Sequence, residues 1–426
     1  MPASSLRERL SQSPAWLLTL TATAAAFITY SSMYAFRKPF TAATYGETAG
    51  LLGLSYKSVL VIAQVMGYML SKFIGIKVIS EMRSSQRVGG MLLLMGVAQG
   101  ALLGFGLLPA PWNILLMFLN GMPLGMMWGF VFSYLEGRKQ TEVMGLGLCA
   151  SFIFASGFVK DIGQVLMAGG VSEFWMPFLT GCVFLPPLLG SIYLLEQLPP
   201  PSAEDEALRT RRGPMSGSER KALFLRFAPG LLLLIAVYMI LTAYRDFRDN
   251  FLADIWLDLR PGSERPNFSR TETPVSVAVL GILMLLVLVK DNLKALIINH
   301  LAIFVGVLIT GLAALAFQAG LISDTLFILS TGFGTYVAYI PFNSILFDRM
   351  IAAFRYVSNV GFLIYLADSF GYLGSVGVLI YKNWGAADLS WSSFFIGASY
   401  VLALSGGAGI AGSVLYFWMK AREGRA

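Results

Sequence analysis

Again and again along this chain, some twenty residues pass with hardly a charge among them, and no other feature constrains the fold as strongly. A helix rises about 1.5 Å per residue, so about 20 apolar residues match the hydrocarbon core of a bilayer. Twelve such segments can be read, over 15–38, 57–77, 88–108, 112–135, 141–168, 173–195, 225–250, 273–290, 295–318, 321–346, 355–381 and 391–420. Composition agrees. Hydrophobic residues make up 56% of the 426, and charged residues only 13%, against about a quarter in a soluble domain. Most of the outer surface must therefore face lipid. The expected fold class is an all-α integral membrane protein with twelve transmembrane helices.

The longest polar stretch, 196–224, divides the spans six and six. It runs from Pro199-Pro-Pro201 through Glu204, Asp205 and Glu206 to Arg209, Arg211 and Arg212. The expected organisation is two pseudo-symmetric six-helix halves, 1–195 and 225–426, joined by this surface linker. Lys and Arg collect in cytoplasmic loops of membrane proteins. With the N-terminus inside, the inner loops hold Arg83 and Arg87; Arg138 and Lys139; the basic run from Arg209 to Arg226; Lys290 and Lys294; Arg349 and Arg355; and Lys420, Arg422 and Arg425. The outer loops hold only Arg260, Arg265, Arg270 and Lys382, three of them in a polar segment, 251–272, that reads as a capping loop. Both termini are thus expected in the cytoplasm, in the inner membrane of a bacterial-type cell, with no cleavable signal peptide.

The formal charge of +7 belongs to these short loops and does not predict a nucleic-acid partner. Cys149, Cys182 and the single histidine, His300, lie inside apolar spans and predict neither a disulfide nor a metal site. No nucleophile–base set or phosphate-binding loop is visible. Gly407-Ala-Gly409-Ile-Ala-Gly412 has the spacing of a dinucleotide fingerprint but no preceding strand, so it predicts no cofactor. The chain is expected to be no enzyme, to need no cofactor, and to act as a monomer whose partners are a small anionic substrate and the surrounding lipid.

Intramembrane charges mark substrate paths, and the first span ends in two: Tyr34-Ala-Phe-Arg37-Lys38-Pro39-Phe40. On spacing alone, Arg37 and Lys38 either snorkel to the outer interface or enter a central cavity. The seventh span carries Tyr244-Arg245-Asp246-Phe-Arg248-Asp249 at a comparable depth. Two arginines on pseudo-symmetric helices would make a planar, permanently charged clamp for a phosphate or carboxylate.

At this point the sequence resembles the organophosphate:phosphate antiporters of the major facilitator superfamily, the glycerol-3-phosphate and hexose-phosphate transporter type, as a divergent member. The first-span motif is similar. So are Gly67-Tyr-Met-Leu-Ser71-Lys72-Phe73-Ile-Gly75, Gly121-Met-Pro-Leu-Gly125-Met-Met-Trp128, and Gly371-Tyr-Leu-Gly374-Ser375. The resemblance implies that Arg37 and Arg245 bind a phosphate group, with Lys38 and Lys72 near its path and with Tyr34, Tyr244, Trp128 and Ser151 lining it. It departs in the fifth span, where Cys149-Ala-Ser151 holds no histidine. It departs again at Asp246, Arg248 and Asp249, added charges that can pair with either arginine.

Other charges carry two readings each. Lys160-Asp161 is a self-neutralising pair or a gate. Asp368 is a proton carrier or a structural acceptor. Glu136-Gly-Arg138-Lys139 and Asp348-Arg349 are gates or anchors. Tyr336, Tyr339, Pro341 and Asn343 line a cavity or pack around a kink. Glycines four residues apart, at 67 and 75 with Ser71 and at 121, 125 and 129, predict close helix packing. The expected function is secondary active transport of a small organic anion by alternating access. Its alternatives are proton-coupled transport of a larger amphiphile or lipid, and a sensor or accessory subunit that does not transport.

Overall fold

The computed structural model describes residues 6–51, 53–202, 204–205, 215–263, 266–356 and 360–423. The basic linker residues Arg209, Arg211 and Arg212, like Glu206, Arg265 and Arg425, lie outside them. The chain is a bundle of long helices: α1 Ala15–Ala35, α2 Tyr56–Glu81, α3 Arg87–Leu107, α4 Ile114–Leu124, α5 Thr141–Ala168, α6 Met176–Glu196, α7 Ala228–Leu259, α8 Phe268–Val287, α9 Asn292–Gln318, α10 Asp324–Ser344, α11 Val360–Ile380 and α12, which begins with Trp391–Val401. Among the described residues, eleven helices are long and apolar enough to cross a membrane. The remaining one, α1, is 21 residues long, and its Thr, Ser and Tyr side chains dilute its hydropathy. It nevertheless packs inside the bundle against α5 and α6.

Arg7 donates to the Glu196 carbonyl at the end of α6 at 2.6 Å. Lys420 lies over the ring of Phe227, which begins α7, at 5.8 Å. Both described ends of the chain and the described parts of the polar 196–224 segment therefore share one end of the bundle. The first six helices meet the last six mainly where α2 packs on α11 and α5 on α8. Buried ion pairs join them near both ends of the bundle. Lys57 meets Asp254 at 2.8 Å at the end far from the termini, and Arg349 meets Glu142 at 2.8 Å near the termini. Arg349 also donates to Asn292 at 2.9 Å, and Arg138 donates to the carbonyls of Tyr134 and Pro199.

Several helices are broken, for identifiable reasons. Proline removes an intrahelical hydrogen bond. Pro123 lies in α4, which stops at Leu124 and resumes as Met127–Phe132. Backbone groups freed at membrane depth must find partners inside the protein. Here the Tyr365 hydroxyl of α11 serves both sides of the break, donating to the Met126 carbonyl at 3.0 Å and accepting from the Gly129 N–H at 2.9 Å. Pro341 similarly precedes the end of α10, and the chain continues as Leu346–Ala353. The polar segment 251–272 is not a capping loop. Helix α7 bends at Phe251 and runs on to Leu259, and α8 starts at Phe268, because Phe251, Leu252, Ile255 and Phe268 find buried places. The Gly407–Gly412 spacing sits inside α12, whose chain passes a π-turn at Leu402–Gly406 and runs on from Gly407 to Glu423.

The spaced glycines bring α2 and α4 into backbone contact. A Cβ at Gly67 would sit 2.1 Å from the Phe118 carbonyl oxygen, and one at Gly121 2.1 Å from that of Gln64. Small residues let helices approach this closely. The approach also carries Gln64 and Asn120 to the end of α1, where the site begins.

Candidate functional site

Helix α1 ends at Ala35, before the two cations. Phe36 and Lys38 keep αR dihedrals, and the N–H groups of Arg37 and Lys38 both donate to the Tyr34 carbonyl, at 3.0 and 2.9 Å. Pro39 has no N–H to extend the ladder and opens a short 3₁₀ turn, Pro39–Ala42. Arg37 and Lys38 therefore sit in the turn between the two. Its carbonyls are held by two amides: Asn120 donates to Phe36 O at 3.0 Å, and Gln64 to Arg37 O at 2.9 Å. Gln64 also donates to Asn120 at 2.7 Å. Neither amide was singled out in the sequence, where each is one polar residue in an apolar span. Arg37 is 2% exposed and Lys38 1%, so they do not snorkel to an interface.

Helix α7 brings the other half of the cluster. Asp246 is fully buried at its centre, with Arg37 at 3.7 Å, Lys38 at 3.6 Å and Arg245 at 3.7 Å, and it accepts from Ser375 at 2.8 Å. Lys38 meets Asp249 at 2.6 Å and donates to Asn250 at 2.8 Å. Lys160 meets Asp249 at 2.8 Å, and Ser156 donates to that carboxylate as well. Four cationic side chains thus face two carboxylates. The guanidinium faces are covered by rings: Arg37 lies 3.8 Å from the Tyr68 centroid, and Arg245 4.4 Å from that of Tyr339. Arg245 donates to the Tyr372 hydroxyl at 3.0 Å. Yet Arg37 Nε and Nη2 and Arg245 Nε have no hydrogen-bond partner. Buried N–H groups without partners are costly and uncommon.

A second group lies nearer the termini. Lys72 of α2 meets Asp368 of α11 at 2.7 Å. Tyr238 donates to Asp368 and accepts from Asn343 at 2.9 Å.

Other residues singled out in the sequence sit elsewhere. Lys160 does not pair with Asp161. Asp161 instead accepts from the backbone N–H groups of Phe268 at 3.0 Å and Ser269 at 2.9 Å, holding the start of α8. Arg248 turns from the cluster to a two-pronged pair with Glu272 of α8 at 2.9 and 3.2 Å. Tyr244 stacks on Phe395 and shares a hydrogen bond with Ser399 at 2.8 Å, on the far side of α7 from Arg245's contacts. Ser151 bonds its own helix at Leu148. Trp128 stacks on Phe132, 4.5 Å between centroids, and its indole N–H has no partner. Tyr34 packs edge-on against Tyr30, one turn before Arg37. Glu272, Asn250 and Tyr372 were not foreseen, since nothing in the local sequence marks what each meets on another helix.

A family of unknown function (DUF5690) matches the chain over residues 39–420. No curated protein matches it. Among solved structures, the chain is similar to a peptide transporter POT variant crystallised with alafosfalin, at 16% identity and a TM-score of 0.55, covering 93% of this chain and 94% of that one. It is also similar to a bacterial homologue of the human drug peptide transporters PepT1 and PepT2, at 13% identity and a TM-score of 0.61, covering 95% and 99%. These likenesses show the fold, which is the major facilitator fold of a multi-pass membrane protein.

Proposed function

The chain belongs to that family of unknown function, and from this premise we propose that it is a secondary active transporter moving a small organic anion, most specifically a phosphate ester, by alternating access. Arg37 and Arg245 form the clamp, and both termini face the cytoplasm. One observation carries the reading: two arginines from the first and seventh spans converge on a single buried carboxylate, Asp246, at 3.7 Å each, with guanidinium N–H groups left unbonded. Four cations against two carboxylates leave two positive charges. A phosphate ester near neutral pH carries about 1.5 to 2 negative charges and three acceptor oxygens, and guanidinium groups bind such oxygens in pairs. The ion pairs Lys57–Asp254 and Glu142–Arg349 join the two sets of six helices near opposite ends of the bundle. Opening toward either side would break one set and keep the other, as alternating access about a midplane site requires. The structural neighbours are peptide transporters, which supports carriage of a small organic substrate on this fold.

The test is a thermal-shift screen of the purified protein against inorganic phosphate, glycerol 3-phosphate, succinate and lysolipid, followed by uptake into proteoliposomes. The expected result is stabilisation by the phosphate compounds and uptake of glycerol 3-phosphate, both lost in Arg37→Ala and Arg245→Ala. Unimpaired uptake in both variants would remove the clamp. Binding without uptake would make the chain a sensor.

A second reading draws on a groove of about 490 Å³ between α7, α11 and α12, lined by Met239, Tyr244, Phe247, Val378 and Phe394 among others. Its apolar wall favours a larger amphiphile or lipid as cargo. Stabilisation by lysolipid alone, with no response to phosphate, would select it.

A further inference from the structure

We infer that Asp368, held by Lys72, is a proton-binding site linked to the arginine cluster, so that a proton and the anion are carried together. The link to the anion rests on the function proposed above; the proton site itself does not.

Asp368 differs from four other buried carboxylates, Glu272, Glu142, Asp249 and Asp246, in what a proton would have to displace. Glu272 is bound at both oxygens by one guanidinium, and arginine stays charged at any physiological pH. Glu142 also faces an arginine. Asp249 is shared by Lys38 and Lys160 and accepts from Ser156. Asp246 has three cations around it. Asp368 has one lysine, at 2.7 Å, and one phenol. It is 3% exposed and Lys72 1%. Binding a proton there removes one negative charge from the protein interior and leaves Lys72 charged and unpaired. The groups facing this carboxylate are Lys72 and Tyr68 from α2, Tyr238 from α7, Tyr339 from α10, Cys149 from α5 and Tyr365 of its own helix.

Two aromatic paths join this pair to the two arginines. Tyr68 is shared, its centroid 5.4 Å from the Lys72 ammonium and 3.8 Å from the Arg37 guanidinium. On the other side Arg245 lies over Tyr339, Tyr339 stacks on Tyr238 at 5.2 Å, and Tyr238 donates to Asp368. A ring face attracts a cation more strongly when desolvated, so a lysine released from its carboxylate competes with Arg37 for Tyr68. The sign of the coupling follows from charge. A proton on Asp368 makes the surroundings of the arginine cluster more positive, which favours an anion, and an anion in the clamp favours the proton by the same amount. Cooperative binding of the two means movement in the same direction. For unit charges on the order of 10 Å apart at an effective dielectric of about 20, the effect is about tenfold in affinity. The pair also fastens α2 to α11, two helices that join the first six to the last six, so losing it loosens that seam.

The experiment uses the full-length protein in liposomes on a solid-supported membrane, subjected to pH jumps with no substrate present and then with inorganic phosphate. Wild type is expected to give a charge-displacement current with a sigmoidal pH dependence, its midpoint raised by about one pH unit when phosphate is bound, the equivalent of tenfold. Asp368→Asn is expected to abolish the current. Because that variant strands a buried lysine, Lys72→Met/Asp368→Asn is measured beside it, with size-exclusion and melting profiles establishing that it folds. A wild-type current in either folded variant overturns the proton site, as does the absence of a current in wild type. A current that depends on Asp368 but ignores phosphate keeps the proton site and overturns the coupling, and the failure then belongs to the anion reading.

Discussion

Arg245 and Arg248 lie three residues apart on one helix, and both are buried, yet their surroundings have little in common. Both terminal nitrogens of Arg248 are bonded, with both oxygens of Glu272 and the Ile328 carbonyl accepting from them, although its Nε, like that of Arg245, has no partner. Even Gly332 is needed there, since a Cβ would come within 2.6 Å of the Arg248 guanidinium. Arg245 has one neutral phenol at 3.0 Å and a carboxylate at 3.7 Å that it shares with two other cations. Burying a charge without full pairing is expensive. The difference lies in the acceptors: Arg248 has a carboxylate of its own, and Arg245 shares one at longer range. The first ties α7 to α8 and the start of α10. The second meets no carboxylate closer than 3.7 Å.

The largest effect should come from breaking the satisfied pair. Arg248→Ala leaves Glu272 charged and buried, a loss of about 3–5 kcal/mol, and the purified protein should melt far earlier. The double variant Arg248→Met/Glu272→Leu should recover most of this. Arg245→Ala orphans no carboxylate, because Asp246 keeps Arg37 and Lys38, and its melting loss should be less than half as large. Equal losses at 245 and 248 would erase the contrast.

Ligand response should reverse the ranking. Arg245→Ala should weaken phosphate binding by on the order of 100-fold, the equivalent of losing a charge-assisted hydrogen-bond pair worth about 3 kcal/mol. Isothermal titration is the measurement. The double variant at 248 and 272 should bind as wild type does.

Asp246→Asn sharpens the same point with the opposite sign. It removes the negative charge that both clamp arginines share, so phosphate should bind about tenfold more tightly. Weaker binding would mean that Asp246 organises the arginines and does not compete with the anion.

The smallest effect belongs to a half-buried carboxylate outside the spans. Partial burial alone would raise Asp205, but the backbone N–H groups of Lys139 and Ser202, the Ser202 hydroxyl and the nearby Arg138 outweigh it and hold the carboxyl below its usual range. Its contribution is therefore fully present above about pH 4 and fades only as the pH falls through the lowered value. The protection of the Lys139 amide, its exchange divided by the intrinsic rate at each pH, should stay unchanged at pH 5 and fall only in stronger acid, with no change in phosphate binding.

What the sequence disclosed follows from which interactions are local. Apolar runs mark the spans because each helix must match the bilayer by itself, so α2, α3, α5, α6 and α9 fall close to their expected places. The seventh span runs on past its expected end and the eighth begins early, since aromatic packing rather than hydropathy decides where α7 and α8 stop. Arg37 and Arg245 were visible as charges where charge is costly. Their shared partner Asp246 was visible only as an added acid, and its place between them needs the crossing of α1 and α7. Lys160 and Asp161 show the opposite limit. Adjacent in sequence and opposite in charge, they look like a pair, but neighbours on a helix point about 100° apart, and each finds its partner elsewhere. Gln64 and Asn120 were illegible, because an amide in an apolar span does not announce that it holds the end of another helix.

The carboxylate at the centre of the cluster has a kinetic consequence. A carrier whose cations are neutralised only by cargo cannot easily return without it, and its turnover is locked to one-for-one exchange. Asp246 lies fully buried within 3.7 Å of both arginines, and if it kept them company through the cycle it would stand in for part of the cargo's charge. The unloaded return is then a passage with part of the charge already cancelled. Under the proposed function, net accumulation, with the return leg running empty, is the mode of turnover that this residue would favour.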